Sequence, residues 1–166
     1  MNEVIKKVKN NEILTDEEVF MFLSYVCNDI RTDTNVYDPM SPDCKVCFDT
    51  FLKFGHAMLL KFGCDVSALN IKEMLEIPLT HYANIISFNI NGEKKDYLVD
   101  MTYSQFFGEN IILDDGTVVS NEVFKSVEQE NWVQNLRKNG FIQLNDDIYN
   151  RYIQLFIEIC NIKKTI

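Results

Sequence analysis

Apolar positions recur at helical spacing near both ends of the chain and alternate with polar ones in its middle. Thr15 with Glu18 three positions later reads as a capping box, and Val19, Phe20, Phe22, Leu23 and Val26 follow it. This predicts a first helix ending near Asp29, then a loop over 31–40, where Asp, Asn, Thr and Pro gather. A second helix is predicted over 41–62. Ser41 is its cap, Pro42 its first residue and Gly63 its stop. Phe48, Phe51, Leu52, Gly55, Met58, Leu59 and Phe62 recur close to a 3.6 period, which predicts a buried central helix.

Residues 64–78 read as a short strand or loop followed by a helical turn at Ile71–Leu75. Two strands, Tyr82–Ile90 and 95–101, meet at Asn91-Gly92, a strong hairpin signal. Asp114-Asp115-Gly116 marks a weaker hairpin between 111–113 and 117–119. Helices over 122–137 and 146–162 close the chain. Asn139-Gly140 ends the first and Asn145 caps the second. The pattern predicts an α+β protein with a small antiparallel sheet, flanked by N- and C-terminal helices, in one domain over 1–166.

Composition adds bounds. A chain of 166 residues is long enough to bury a sizeable core. Its formal charge of −9 argues against a nucleic-acid or anionic-membrane surface. No apolar run is long enough to span a bilayer, and residues 1–11 lack the apolar stretch of a signal peptide. Five cysteines, an odd number without such a signal, fit reduced thiols in a cytoplasm or export by another route.

The hairpin changes the picture most. A two-residue turn pairs Ile90 with Glu93, so Ala83 opposes Asp100 and His81 opposes Thr102. His81 and Asp100 then stand on one face as diagonal neighbours, with Cβ atoms about 7–8 Å apart. Ile86, Phe88, Ile90, Tyr97, Val99 and Met101 form the opposite, core face. Upstream lies Cys44, which a cap at Ser41 places in the first turn of the second helix, where unpaired N–H groups favour a thiolate. Cys44, His81 and Asp100 are thus a candidate nucleophile, base and orienter. Cys47, one turn deeper, is the alternative nucleophile. His56, mid-helix, reads as structural or surface. Thr102 and Gln105 are supporting candidates, and Asn35 or Tyr37 a possible oxyanion donor.

The same residues admit other readings. Cys44 and Cys47 form a Cys-x-x-Cys pair, but a thioredoxin-like redox centre needs a buried strand before it, and 31–40 does not read as one. Zinc needs two further ligands at suitable spacing, and no second pair is present. No cofactor motif occurs. A non-enzymatic protein that binds a partner through its acidic surface is the remaining alternative.

A Cys at the start of a helix ending in Lys61-Phe62-Gly63 is followed by His81-Tyr82-x-Asn84 and by the run Tyr97-Leu98-Val99-Asp100-Met101-Thr102-Tyr103-Ser104-Gln105-Phe106. Over about 41–107 this resembles the papain-like and transglutaminase-like superfamily of cysteine enzymes. The Asp-x-Thr-x-x-Gln-Phe run is similar to one in bacterial transglutaminase-like hydrolases and in papain-fold toxin or effector domains, several of which deamidate glutamine in host proteins. The resemblance implies a papain-like core and a Cys-His-Asp site acting on an amide of a protein or peptide substrate. It implies no metal. In transglutaminase-like enzymes the nucleophile stands about fifteen residues before the helix-ending Gly, which favours Cys47. Papain-fold toxins can carry Cys-x-x-Cys, which favours Cys44.

Overall fold

The computed structural model describes the backbone of residues 1–165 and the side chains of 1–161. Three helices come first: α1 (Asn2–Lys9), α2 (Asp16–Asp33) and α3 (Cys47–Phe62). Then follow β1 (Ser67–Asn70), α4 (Ile71–Leu75), β2 (Tyr82–Ile90) and β3 (Glu93–Val99). A 3-10 turn at Tyr103–Phe106 leads to the small hairpin of β4 (Ile111–Ile112) and β5 (Val118–Val119). The chain ends with α5 (Glu122–Lys125), α6 (Asn131–Asn139), β6 (Phe141–Gln143) and α7 (Asp146–Thr165).

The main sheet is antiparallel, in the order β1-β2-β3-β6. Its centre is the Asn91-Gly92 hairpin, in the expected register: Ile90 pairs with Glu93 and Asn84 with Val99. Both turn residues have positive φ, which Asn and Gly tolerate. β3 stops at Val99, two residues earlier than expected, because the Asp100 N–H turns away to donate to Gly140 O at 2.9 Å.

Both faces of the sheet are buried. Ile86, Phe88, Ile90, Tyr97, Val99 and Met101 pack as expected, against α1, α2 and α3. Ala83 and Leu98, on the other face, join a second core with the 3-10 turn, α6 and α7. So the face that carries His81 and Asp100 is not open to solvent as an isolated hairpin's would be. It is roofed by the C-terminal half of the chain.

Several elements differ from the pattern reading. The Thr15–Glu18 capping box is formed, but α2 runs past Asp29 to Asp33. Arg31 in its last turn is buried and donates to the carbonyls of Met101, Arg137 and Lys138. α3 begins at Cys47 and not at Ser41. Ser41 Oγ accepts from Asp43 N at 3.2 Å, a local turn that competes with helix. The loop before α3 is also pinned by Arg137, which donates to Met40 O. The buried row of α3 is Thr50, Phe54, Met58 and Phe62, whereas Phe48, Leu52 and Leu59 are exposed. The helix therefore lies half-buried on the sheet, with part of its apolar surface outward.

The long helix expected over 122–137 is two, α5 and α6. Phe124 and Val133 are both fully buried, yet nine positions at about 100° each would put them on opposite sides of one helix. The break lets both reach the core. α1 and β6 have no counterpart in the pattern reading. Val4 and Val8, with the half-buried Ile5, anchor α1 among charged neighbours, and β6 is defined by its pairing with β3.

Candidate active site

His81 stands immediately before β2, and Ile71 N donates to its carbonyl at 3.0 Å. Asp100 stands immediately after β3. The hairpin register brings the two side chains together. His81 Nε2 lies 2.7 Å from Asp100 Oδ2, and both side chains are buried. The Tyr152 hydroxyl, from α7, donates to the same oxygen at 2.8 Å. Phe156, one turn further along α7, lies over the His81 ring with centroids 5.6 Å apart, and Phe106 meets that ring edge-on at 4.8 Å.

With Nε2 given to Asp100, Nδ1 is the nitrogen left for other partners. Gln105 Nε2 lies 3.4 Å from it and donates to Thr102 O and Thr102 Oγ1, each at 3.0 Å. Thr102 therefore braces Gln105, and neither His81 nor Asp100 directly. The Cys47 thiol also lies close enough to the ring to act on its protonation. Burial of the ring works against its charged form. The charge and hydrogen bond of Asp100, with those of Cys47, outweigh it and raise the pKa from 6.5 to about 9.

The two cysteines separate cleanly. Cys47 is the first residue of α3, half-buried, beside His81. No side chain caps this helix among the described residues, so its first N–H groups remain available. Cys44 lies in the preceding loop, buried, with its sulfur 3.7 Å from Thr102 O. Burial and the Asp100 charge push its thiol up to about 11. Placing Cys44 in the first helical turn beside His81 is thus corrected, because the helix starts later. Spacing to Gly63 was the better guide to the thiol that meets the imidazole.

Other candidates fall elsewhere. Tyr37 is 77% exposed and donates to Asn35 Oδ1, so these two engage one another and do not enter the site. His56 is exposed on α3. The segment before the Cys-x-x-Cys pair is the end of α2 and a loop, without the strand a thioredoxin-like centre needs. Among the described residues no cluster of three His, Cys, Asp or Glu side chains is placed to hold a metal ion. No helix among them is long and apolar enough to cross a membrane.

Tyr152 and Phe156 were not singled out in the sequence, whereas Phe106 closes the Asp-x-Thr-x-x-Gln-Phe run. The first two sit one turn apart on the apolar side of α7, a signal that any buried helix gives. Beside the site, Tyr82 packs with Phe48 and Phe51, each with ring centroids 5.2 Å away, and Phe48 remains half-exposed. Phe48 follows Cys47 and Tyr82 follows His81 in the chain, so this aromatic shelf lies beside the site. The chain matches no known family model, no curated protein and no solved structure.

Proposed function

We propose that the protein is a cysteine-dependent hydrolase or acyltransferase acting on an amide carbonyl of a protein or peptide, on a papain-like or transglutaminase-like core. Cys47 is the nucleophile, His81 the proton carrier and Asp100 the orienter. The observation that carries this reading is the state of His81. The ring is buried, anchored through Nε2 to Asp100, and close enough to the thiol at the start of α3 for that thiol to favour its charged form.

A ring with a pKa near 9 is charged at neutral pH. In the proposed mechanism its proton at Nδ1 comes from Cys47, leaving a thiolate–imidazolium pair. The sulfur attacks the amide carbon, and the carbonyl oxygen becomes an oxyanion held by the free N–H groups of the first turn of α3. The C–N bond breaks as His81 gives its Nδ1 proton to the departing nitrogen, leaving a thioester on Cys47. Water, losing a proton to His81, then attacks the thioester carbon and releases a carboxylic acid. If an amine attacks instead, the product is a new amide. The aromatic shelf supports a polypeptide substrate, because it offers apolar surface beside the nucleophile.

Turnover assays test the reading. Ammonia release from a glutamine-containing protein, peptide cleavage and incorporation of a primary amine distinguish the three outcomes. Cys47→Ser is expected to lower whichever activity is found by at least about a thousandfold, whereas Cys44→Ser keeps most of it. Equal loss in both variants, with His81→Ala without effect, would instead indicate a redox pair.

A further inference from the structure

Asp100 makes an unusual use of its carboxylate. Both of its side-chain hydrogen bonds fall on Oδ2, one from His81 and one from Tyr152, while Oδ1 has no partner among the described residues. Were His81 the only donor, the orienter would itself be oriented by the ring it is meant to hold. Tyr152 arrives from a different element, α7, and its phenol is fully buried. Its ring is wedged between Tyr103, at 5.4 Å between centroids, and Phe156, at 5.2 Å. Phe156 in turn covers the His81 ring. One helical turn of α7 therefore backs both the carboxylate and the imidazole.

We propose that Tyr152 is a positioning residue: its hydroxyl fixes the Asp100 carboxylate independently of His81 and thereby sets how tightly His81 holds its proton. This rests on the reading of Cys47, His81 and Asp100 as a catalytic site. A donor on Oδ2 draws off part of the negative charge that the imidazolium feels. Removing it leaves that oxygen to His81 alone. The charged ring is then held more strongly and with less defined geometry. Other groups around the carboxylate stay in place. Arg31 from α2 is a nearby positive charge, and Cys44, Cys47 and the buried Tyr103 hydroxyl also interact with the site electrostatically. None of these makes a hydrogen bond to Oδ2.

The chain has only two histidines, so the titration of His81 is readable by nitrogen-15 NMR against the exposed His56. Tyr152→Phe keeps the ring and deletes the hydroxyl. It is expected to raise the His81 pKa by about half a unit or more. Leu155→Ala, which loosens α7 at a buried position whose side chain bonds neither His81 nor Asp100, is expected to lower stability without that upward shift. An unchanged or lowered His81 titration in Tyr152→Phe overturns the proposal. Should that variant not fold, the unaltered protein still decides. The Tyr152 hydroxyl proton and the His81 Nε2 proton share one acceptor oxygen, so they should show a mutual nuclear Overhauser effect. Its absence also overturns the proposal. The underlying enzymatic reading fails separately, if Cys47 of the unaltered protein alkylates with iodoacetamide no faster than Cys64.

Discussion

At the residue scale, His81 couples the site to the stability of the fold. Its folded pKa of about 9 lies above the ordinary 6.5, so the folded state binds the proton more tightly than the unfolded chain does. The stability this contributes is complete below about pH 6.5 and is lost as pH rises through about 9. The contribution is on the order of 3 kcal/mol at about 1.4 kcal/mol per unit. Urea denaturation across that window should show a falling midpoint. Asp100→Asn, which removes the charge that holds the proton, should flatten the fall. A profile as steep in that variant would place the pH dependence elsewhere. The pairing itself was readable in the chain, because a two-residue Asn-Gly turn fixes strand parity and so puts His81 and Asp100 on one face. The choice of thiol was readable only through the spacing to Gly63, against a stronger local signal for Cys44. Ser41-Pro42-Asp43 has every local mark of a helix start, but Ser41 Oγ bonds Asp43 N, and Cys44 is drawn down onto Thr102. Those are choices between local bonds that only the packed loop decides.

At the element scale, the site depends on how the ends of strands and helices meet. Asp100 leaves β3 by donating its N–H to Gly140 O, and Gly140 ends α6 in the left-handed region at φ 86°. A Cβ there would come within 3.0 Å of Met101 Cγ and 3.2 Å of Arg31 Cζ. Gly140→Ala should therefore cost about 1–3 kcal/mol by urea denaturation, through backbone strain and crowding together. It should also slow modification of Cys47, because Met101 follows Asp100 directly. Unchanged stability would mean that the backbone relaxes freely at this junction. Gly140 as a helix stop was legible from Asn139-Gly140, whereas its carbonyl's role under Asp100 was not, since β6 and the end of β3 pair across about forty residues. The apolar stripe of α3 was legible only in part, for a related reason. Of the expected Phe48, Phe51, Leu52, Gly55, Met58, Leu59 and Phe62, Met58 and Phe62 are buried, but they belong to a second row of helical spacing with Thr50 and Phe54, and the sheet selects that row while Phe48, Leu52 and Leu59 face outward.

At the scale of the whole molecule, one sheet separates two cores, and the site lies between β2, β3 and the C-terminal core. This makes the cores separable by experiment. Phe22→Ala, in the core of α1, α2 and α3, and Phe156→Ala, behind His81, each remove a fully buried ring and should cost about 3–5 kcal/mol. Only Phe156→Ala should also change the His81 titration, since Phe156 touches the imidazole and Phe22 does not. If both variants moved the titration alike, the site would be responding to global loosening. The resemblance that pointed to this site covered only its Cys, His and Asp segments. The C-terminal helix that backs them entered through tertiary packing.

The central claim is that Cys47 is an activated thiol made so by His81. It is tested most directly by the rates at which the five cysteines react with iodoacetamide at pH 7, mapped by mass spectrometry in the unaltered protein and in His81→Ala. The account predicts that Cys47 reacts at least about tenfold faster than Cys44, Cys27 or Cys64, whose thiols burial pushes upward, and that this advantage disappears with His81. Fastest reaction at Cys44, or a Cys47 rate indifferent to His81, would contradict it.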